Sequence, residues 1–384
     1  MKIDKKIRVF LILSFVSLFA DMTYEGARSV GGAYLEVLKA PLIFAGMLSI
    51  GELLAYLFRA FSGILVTKYR SSSFLWFLTI TGYVTNLAVI PLLAISGNWI
   101  IAFILYMLER IGKGLRGPSR DIILSELIKG LGSGKGFGIH EFLDQLGAVS
   151  GPLIVAYYLA GHGGFYYAYL FLAIPATIAI ALVFSAMIQY PKIESVHTDK
   201  RISFRVPRGT FRFFLVSIFL ISVSFTQWGI ISYRITLEGI GAQYAAILYV
   251  LAMAADAAVA IPLGMLFDKY GVKTIYPIPI ISIFSNILLL FENSLFLLFL
   301  GSILWGTVTG YYESVFRAAV AELAKEDVAG GFGVYSLVQG IAMGIGGIII
   351  AVFYIVSKSA LIDYIIALNL IAMLFFALST KRSI

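Results

Sequence analysis

Apolar residues run through this chain in stretches of about 20, the length of helix that crosses the hydrocarbon core of a bilayer. Twelve such stretches are predicted, near residues 9–35, 42–66, 74–95, 99–126, 136–160, 166–189, 210–237, 242–266, 274–292, 295–323, 328–356 and 359–380. The fold class they imply is an all-α polytopic membrane protein. Polar positions are sorted by stretch: sixteen ionisable residues lie deep inside, the third, sixth and ninth stretches hold none, and the first and fourth are crowded. A charge in hydrocarbon costs at least about 3 kcal/mol, so such residues face a protein interior or a watery cavity. Every third helix is therefore expected to be lipid-facing scaffold, and the others to wall a polar route.

Composition agrees. Hydrophobic residues fill 60% of 384 positions and charged residues 13%, against about 25% charged in soluble domains, and no soluble domain has room between the stretches. The first stretch carries Asp21, Glu25 and Arg28 and lacks a small-residue cleavage site, so a retained helix is expected rather than a signal peptide. Cysteine is absent, which excludes disulfides, thiolate metal sites and a Cys nucleophile. Nineteen Lys and Arg fall at the N-terminus, after even-numbered stretches, in the central segment and in the tail, whereas the opposite loops hold Lys39 and Lys358. By the positive-inside rule both termini are cytoplasmic. The net charge of +8 then belongs mainly to a surface facing anionic lipid headgroups, and no nucleic-acid partner is needed.

The chain repeats itself. Gly63 to Arg70 after the second stretch parallels Gly264 to Gly271 after the eighth, Ser125-Glu126-Leu127 parallels Ala321-Glu322-Leu323, and Gly136-Phe137-Gly138 parallels Gly331-Phe332-Gly333. Offsets of 195 to 201 residues indicate an internal duplication, with an N-terminal six-helix bundle over 1–190, a cytoplasmic linker over 191–208 and a C-terminal six-helix bundle over 209–384. Parallel halves of this kind form a known transporter architecture with its site near the midplane.

Residues 264–273 (GMLFDKYGVK) resemble the G-x-L-x-D-K/R-x-G-x-K/R loop signature of the major facilitator superfamily. The resemblance covers nearly the whole chain and implies two pseudo-symmetric six-helix bundles that alternate access to a central site. It also implies a cytoplasmic gating motif at Gly63, Lys68 and Arg70 and at Gly264, Asp268, Lys269, Gly271 and Lys273. The first copy departs from the signature, since Thr67 stands where the family has Asp and no Gly follows Tyr69. Arg110-x-x-x-Gly114 resembles the family's proton-coupling motif, and Gly147-x-x-x-Gly151-Pro152 its antiporter motif without the trailing glycines. The run from Glu109 to Asp121 is similar to that of a group of prokaryotic permeases in the superfamily.

Spacing adds its own information. Ser14, Ser17, Asp21, Tyr24, Glu25 and Arg28 recur at three and four and share one helix face, and Glu109, Lys113, Arg116 and Arg120 form a stripe with Arg110 and Asp121 beside it. At about 1.5 Å per residue, Asp21, Glu52, Arg110 and Asp144 come out near mid-membrane, and Arg110 is expected to pair with Asp21 or Asp144. Glu52, Arg59, Glu109, Lys113, Arg234, Glu238 and Arg317 suit structural or gating pairs equally. The candidate coupling and cavity residues are Asp21, Glu25, Arg28, Arg110, Lys113, Arg116, Glu141 and Asp144, with Asp256, Glu313 and Arg317 in the second half. Asp256 is expected to take a proton or to pair with Arg317. Burial and a nearby Arg move a carboxyl pKa in opposite directions, so a carboxylate that exchanges Arg for water as the cavity alternates would carry a proton.

Other chemistries fail. Gly132 to Gly136 imitates a phosphate loop, but Lys129 stands where Walker A needs Gly and Gly136 where Ser or Thr would bind Mg²⁺. His140, His162 and His197 make no metal set, and His140 reads as a capping or interfacial residue. No enzyme and no cofactor other than a proton gradient is expected. The reading is a monomeric secondary transporter of the cytoplasmic membrane that exports a small organic solute by proton antiport. The excess of cations in the fourth stretch suits an anionic metabolite instead, taken up or exchanged. A lipid flippase or a transporter-like receptor shares the composition; a receptor usually adds a signalling extension, and only Lys381 to Ile384 follow the last stretch.

Overall fold

The computed structural model describes residues 4–128, 133–193, 209–324 and 327–380. Most of the expected linker, residues 194–208, lies outside them, as do Lys2, Lys129, Lys325, Lys381 and Arg382 of the basic residues weighed above. Every regular element among the described residues is helical. In chain order these are α1 (Lys5–Ser29), α2 (Gly31–Val37), α3 (Leu42–Met47), α4 (Ile50–Tyr69), α5 (Ser72–Leu92), α6 (Trp99–Leu127), α7 (Ser133–Leu159), α8 (Gly164–Phe171) and α9 (Ala173–Gln189). Then follow α10 (Thr210–Ser224), α11 (Trp228–Leu237), α12 (Ala242–Tyr270), α13 (Ile278–Phe291), α14 (Leu295–Gly310), α15 (Phe316–Leu323), α16 (Val328–Val356) and α17 (Lys358–Thr380).

Local chemistry starts several of these helices. Asp4, Ser71, Asn98 and Asp327 each accept a hydrogen bond from the backbone N–H two or three residues on, at 3.3, 3.2, 3.0 and 2.9 Å, which satisfies donors that a helix N-terminus leaves open. Ten helical segments among the described residues are long and apolar enough to cross a membrane. Two expected spans fall outside that set for opposite reasons. The ninth is apolar but only 14 residues long as α13, about 21 Å of helix against a core of about 30 Å. The fourth, α6, is 29 residues long but crowded with charge.

The chain divides into two compact units, Met1–Lys39 with Leu54–Lys200, and Ala40–Leu53 with Arg201–Ile384. In the first unit α1 packs on α7 and α9, and α5 packs on α6. Val9, Phe10, Leu13, Trp76, Leu87, Leu124 and Val183 belong to its buried apolar core. Gly147 and Gly151 are needed there because α7 lies backbone to backbone with α1: a Cβ on Gly151 would stand 2.1 Å from the Met22 carbonyl oxygen. The glycine pair therefore serves close packing, the use small-x-x-x-small patterns have in membranes.

In the second unit α10 packs on α16 and α17, α12 on α14, and α3 on α16. The seventh expected span is not one helix. Phe225, Thr226 and Gln227 separate α10 from α11 and are buried, so their backbone groups need internal partners. Asn286 of α13 supplies two: its Oδ1 accepts from the Thr226 N–H at 2.9 Å and its Nδ2 donates to the Ser224 carbonyl at 3.1 Å. The Trp305 indole donates to the Thr226 carbonyl at 2.9 Å. The tenth span is also irregular, with a π-helical turn over Tyr311–Val315 between α14 and α15.

Asn286→Leu keeps the branched shape, enlarges the side chain, and removes both hydrogen bonds along with the 3.4 Å contact to Ser282 Oγ. With each abandoned buried group costing about 1–3 kcal/mol, the variant is expected to lose about 2–5 kcal/mol of stability. Thermal unfolding of the purified protein in lipid nanodiscs measures the loss.

Candidate functional site

The charged face predicted on α1 meets the charged stripe of α6 inside the first unit. Glu25 is buried, 3.4 Å from Arg28 Nη1 and 3.8 Å from Lys113 Nζ. The Lys113 ammonium also lies 4.1 Å from the centre of the Tyr24 ring, a cation–π approach that helps hold a cation away from water. One turn earlier on α6, Glu109 and Arg110 are both buried and pair at 3.0 Å. Asn86 of α5 donates through Nδ2 to Glu109 Oε1 at 2.7 Å and to the Glu109 carbonyl at 3.1 Å. Gly112 permits this, since a Cβ there would stand 2.3 Å from the Asn86 nitrogen.

The expected partners of Arg110 are corrected by this geometry. Its described ion pair is with the neighbouring Glu109, whereas the cations acting on Asp21 and Asp144 are Lys113 for the first and Arg120 and Arg116 for the second. Asp21 and Asp144 act on one another across α1 and α7. His140 is buried rather than interfacial. Its ring nitrogens lie 3.3 Å from Ser17 Oγ and 3.4 Å from Ser14 Oγ, and Asp144 stands 3.7 Å away. At the end of the stripe Asp121 binds Arg120 at 2.9 Å and Arg59 at 2.7 Å, joining α6 to α4. Arg116 is buried against Tyr83, 4.1 Å from the ring centre. Glu141 is exposed and accepts from Gln145 at 3.2 Å, and it acts on Asp144 from the edge of the buried cluster.

Sequence reasoning passed over two members of this unit. Glu126 appeared only as part of the repeat, yet it is buried and accepts from the Tyr190 hydroxyl at 2.6 Å. Tyr83 carried no charge to draw attention. A signal for it existed in Gly82, whose lack of a side chain lets α6 approach until a Cβ would be 2.6 Å from the Arg116 nitrogen.

The second unit holds fewer charges and places them differently. Asp256 is buried on α12 against Gly310, where a Cβ would come within 3.2 Å of its Oδ1. Arg317, its expected partner, is exposed, as is Glu313 in the π turn. Arg234 is buried and donates through Nη1 to the Glu292 carbonyl at 2.6 Å and through Nη2 to Asn293 Oδ1. It thus neutralises the C-terminal end of α13, a favourable place for a cation. Glu238 lies 3.8 Å from Lys358.

The two segments expected to form a gating motif end long helices. Gly271 adopts a φ of +58 and its N–H returns to the Phe267 carbonyl as α12 closes, a conformation suited to glycine. Lys269 lies 5.1 Å from the Tyr270 ring, Asp268 is exposed, and Lys273 is exposed in the following 3₁₀ turn. Gly264 has open space about it. In the first copy Lys68 lies 5.4 Å from the Tyr69 ring, and Arg70 donates to the Thr67 carbonyl at 3.1 Å. A Cβ on Gly63 would stand 3.8 Å from the Pro118 ring of α6.

No family model matches the chain. An uncharacterized protein of Mycobacterium tuberculosis is 35% identical over 388 residues, covering 98% of this chain and 94% of the relative. An uncharacterized MFS-type transporter of Methanocaldococcus jannaschii is 29% identical over 357 residues, 86% of this chain and 84% of that one. The fold superposes with a TM-score of 0.76 on a POT family transporter in complex with 5-aminolevulinic acid, at 14% identity over 96% of this chain and 95% of that one. Over 86% of its length the chain is thus similar to an MFS-type transporter, and its fold is that of solved transporters. The ten apolar helical segments agree with an integral membrane protein, and the Methanocaldococcus relative and the solved neighbour are both described as transporters.

Glu109→Ala removes the carboxylate that pairs with the buried Arg110 guanidinium and accepts from the Asn86 amide. Removing one partner of a buried pair costs about 3–5 kcal/mol, so Glu109→Ala is expected to unfold at markedly lower temperature. Glu109→Gln, which keeps the Asn86 contact, is expected to lose about half as much. Thermal melts of both variants at one pH separate the two.

Proposed function

We propose that this protein is a secondary transporter of the major facilitator superfamily, a proton-coupled antiporter that exports a small organic solute across the cytoplasmic membrane. The observation that carries the reading is the juxtaposition of Asp21 on α1 with Asp144 on α7, with Lys113, Arg116 and Arg120 acting on them. Two neighbouring carboxylates that act on one another beside basic side chains form a site able to take a proton from one side of the membrane and release it on the other. Glu25, tied to Lys113 and Arg28, is the relay between this pair and the buried Glu109–Arg110 network. Asp256 is the proton site of the second half, and Glu313, Arg317 and Glu141 tune access to the route.

In this reading twelve spans form two six-helix halves joined by the 191–208 linker, and the protein works as a monomer with both termini in the cytoplasm. The loops around Gly63 to Arg70 and Gly264 to Lys273 then latch one conformation, and the second copy, which keeps its acid at Asp268, does most of the latching. Duplicated architecture supports a rocking cycle about a midplane site. The excess of basic residues at the termini and after even-numbered spans supports the orientation.

Two experiments test this. In proteoliposomes, with a solute identified by thermal-shift screening at two pH values, at least one of Asp21→Asn, Glu25→Gln and Asp144→Asn is expected to lower pH-gradient-driven transport about tenfold while solute exchange without a gradient persists. Unchanged gradient dependence in all three would sink the coupling assignment. Because the chain lacks cysteine, single cysteines placed at Lys5 and Ser383 report orientation directly: both are expected to react with impermeant maleimide only after the membrane is opened from the cytoplasmic side.

A further inference from the structure

Arg116 is the buried cation of the first unit whose chemistry the surrounding network leaves open. It is 2% exposed, and its guanidinium carbon lies 4.1 Å from the centre of the Tyr83 ring and 5.7 Å from that of Tyr24. Its Nε and Nη1 donors are buried without a hydrogen-bond partner, and so is the Tyr83 hydroxyl. The carboxylates that act on it from neighbouring positions are Asp121 and Asp144. Asp121 is held by Arg59 and Arg120 at 2.7 and 2.9 Å, and Asp144 stands 3.7 Å from His140. Neither closes on Arg116 as an ion pair.

An unpaired guanidinium at this depth costs several kcal/mol, and each unmet buried donor adds to the cost. The unmet groups here share one character: the two Arg116 nitrogens and the Tyr83 hydroxyl are all able to donate. What completes them must accept hydrogen bonds and carry negative charge. The centres of two tyrosine rings lie 4.1 and 5.7 Å from the guanidinium carbon, and the fork of donors on a guanidinium matches a planar carboxylate. Gly82 holds this arrangement, because it lets α5 approach α6 closely enough to bring Tyr83 onto Arg116.

We infer that Arg116, with Tyr83 beside it, is the subsite that receives a carboxylate of the transported solute, so that the solute is an organic acid carried as its anion. The inference rests on the transporter reading above. Tyr24 then serves two cations at once, Lys113 at 4.1 Å and Arg116 at 5.7 Å from the same ring, and couples the solute subsite to Glu25 through Lys113.

The test uses the full-length protein in nanodiscs with benzoate, its neutral isostere benzamide, and inorganic phosphate. Benzoate is expected to raise the melting temperature in a concentration-dependent way, with benzamide and phosphate without effect. Arg116→Gln and Arg116→Lys are expected to need about tenfold more benzoate for the same shift, and Tyr83→Phe a few-fold more. On the unaltered protein, benzoate and not benzamide is expected to slow phenylglyoxal labelling of Arg116, read by mass spectrometry, which covers the case of a variant that does not fold. Equal effects of benzoate and benzamide, an unchanged benzoate response in Arg116→Gln, or labelling that benzoate leaves untouched would overturn the subsite. A phosphate response equal to that of benzoate would overturn the carboxylate assignment. Benzoate binding that survives in a protein shown not to transport would remove the transporter reading and leave the subsite standing.

Discussion

Everything in this molecule answers to one constraint: hydrocarbon offers no hydrogen bonds, so each polar group carried into it must find its partner inside the protein. The first unit meets the constraint with side chains, tying Glu109 to Arg110 and Asn86 and Glu25 to Arg28 and Lys113. The second unit meets it with backbone. There the interruption between α10 and α11 exposes peptide groups that Asn286 and Trp305 take up. Asn86 and Asn286 thus stand 200 residues apart in the sequence and do related work, one holding a carboxylate and the other a broken helix.

Much of the architecture was legible beforehand because period and depth are properties of sequence alone. Spacings of three and four put Asp21, Tyr24, Glu25 and Arg28 on one face of α1, and that face does carry the buried contacts of Glu25. Pairing was less legible. Residues that share a depth do not thereby touch, since helix rotation and rotamer decide which of several neighbours is met. Arg110 therefore turns to Glu109 rather than to Asp21 or Asp144. The same limit explains Glu141, Glu313 and Arg317, which fall within apolar stretches but on exposed faces. The break in the seventh span was invisible for another reason. Ser-Phe-Thr-Gln contains neither Pro nor Gly, and the residue that stabilises it lies 60 positions away.

Glycine was the most readable of the close-packing signals. Gly147 and Gly151 lie against the α1 backbone, Gly82 and Gly112 against α6 and α5. Each is a place where two helix backbones approach too closely for a methyl group. The polar side chains that matter most to the proposed chemistry, Asn86, Tyr83 and Arg116, are brought together at these close approaches.

The charge on α6 has a consequence for how the protein is made. Taken alone, this helix is too polar to leave the translocation channel for lipid, each central charge costing about 2.5–3.5 kcal/mol. Its partner for Glu109 is Asn86 on α5, the helix immediately before it, and Gly82 and Gly112 let the two backbones close. Helices α5 and α6 are thus suited to enter the bilayer together as a hairpin in which Glu109 is already held by Asn86, so that the apolar α5 escorts the charged α6 during synthesis.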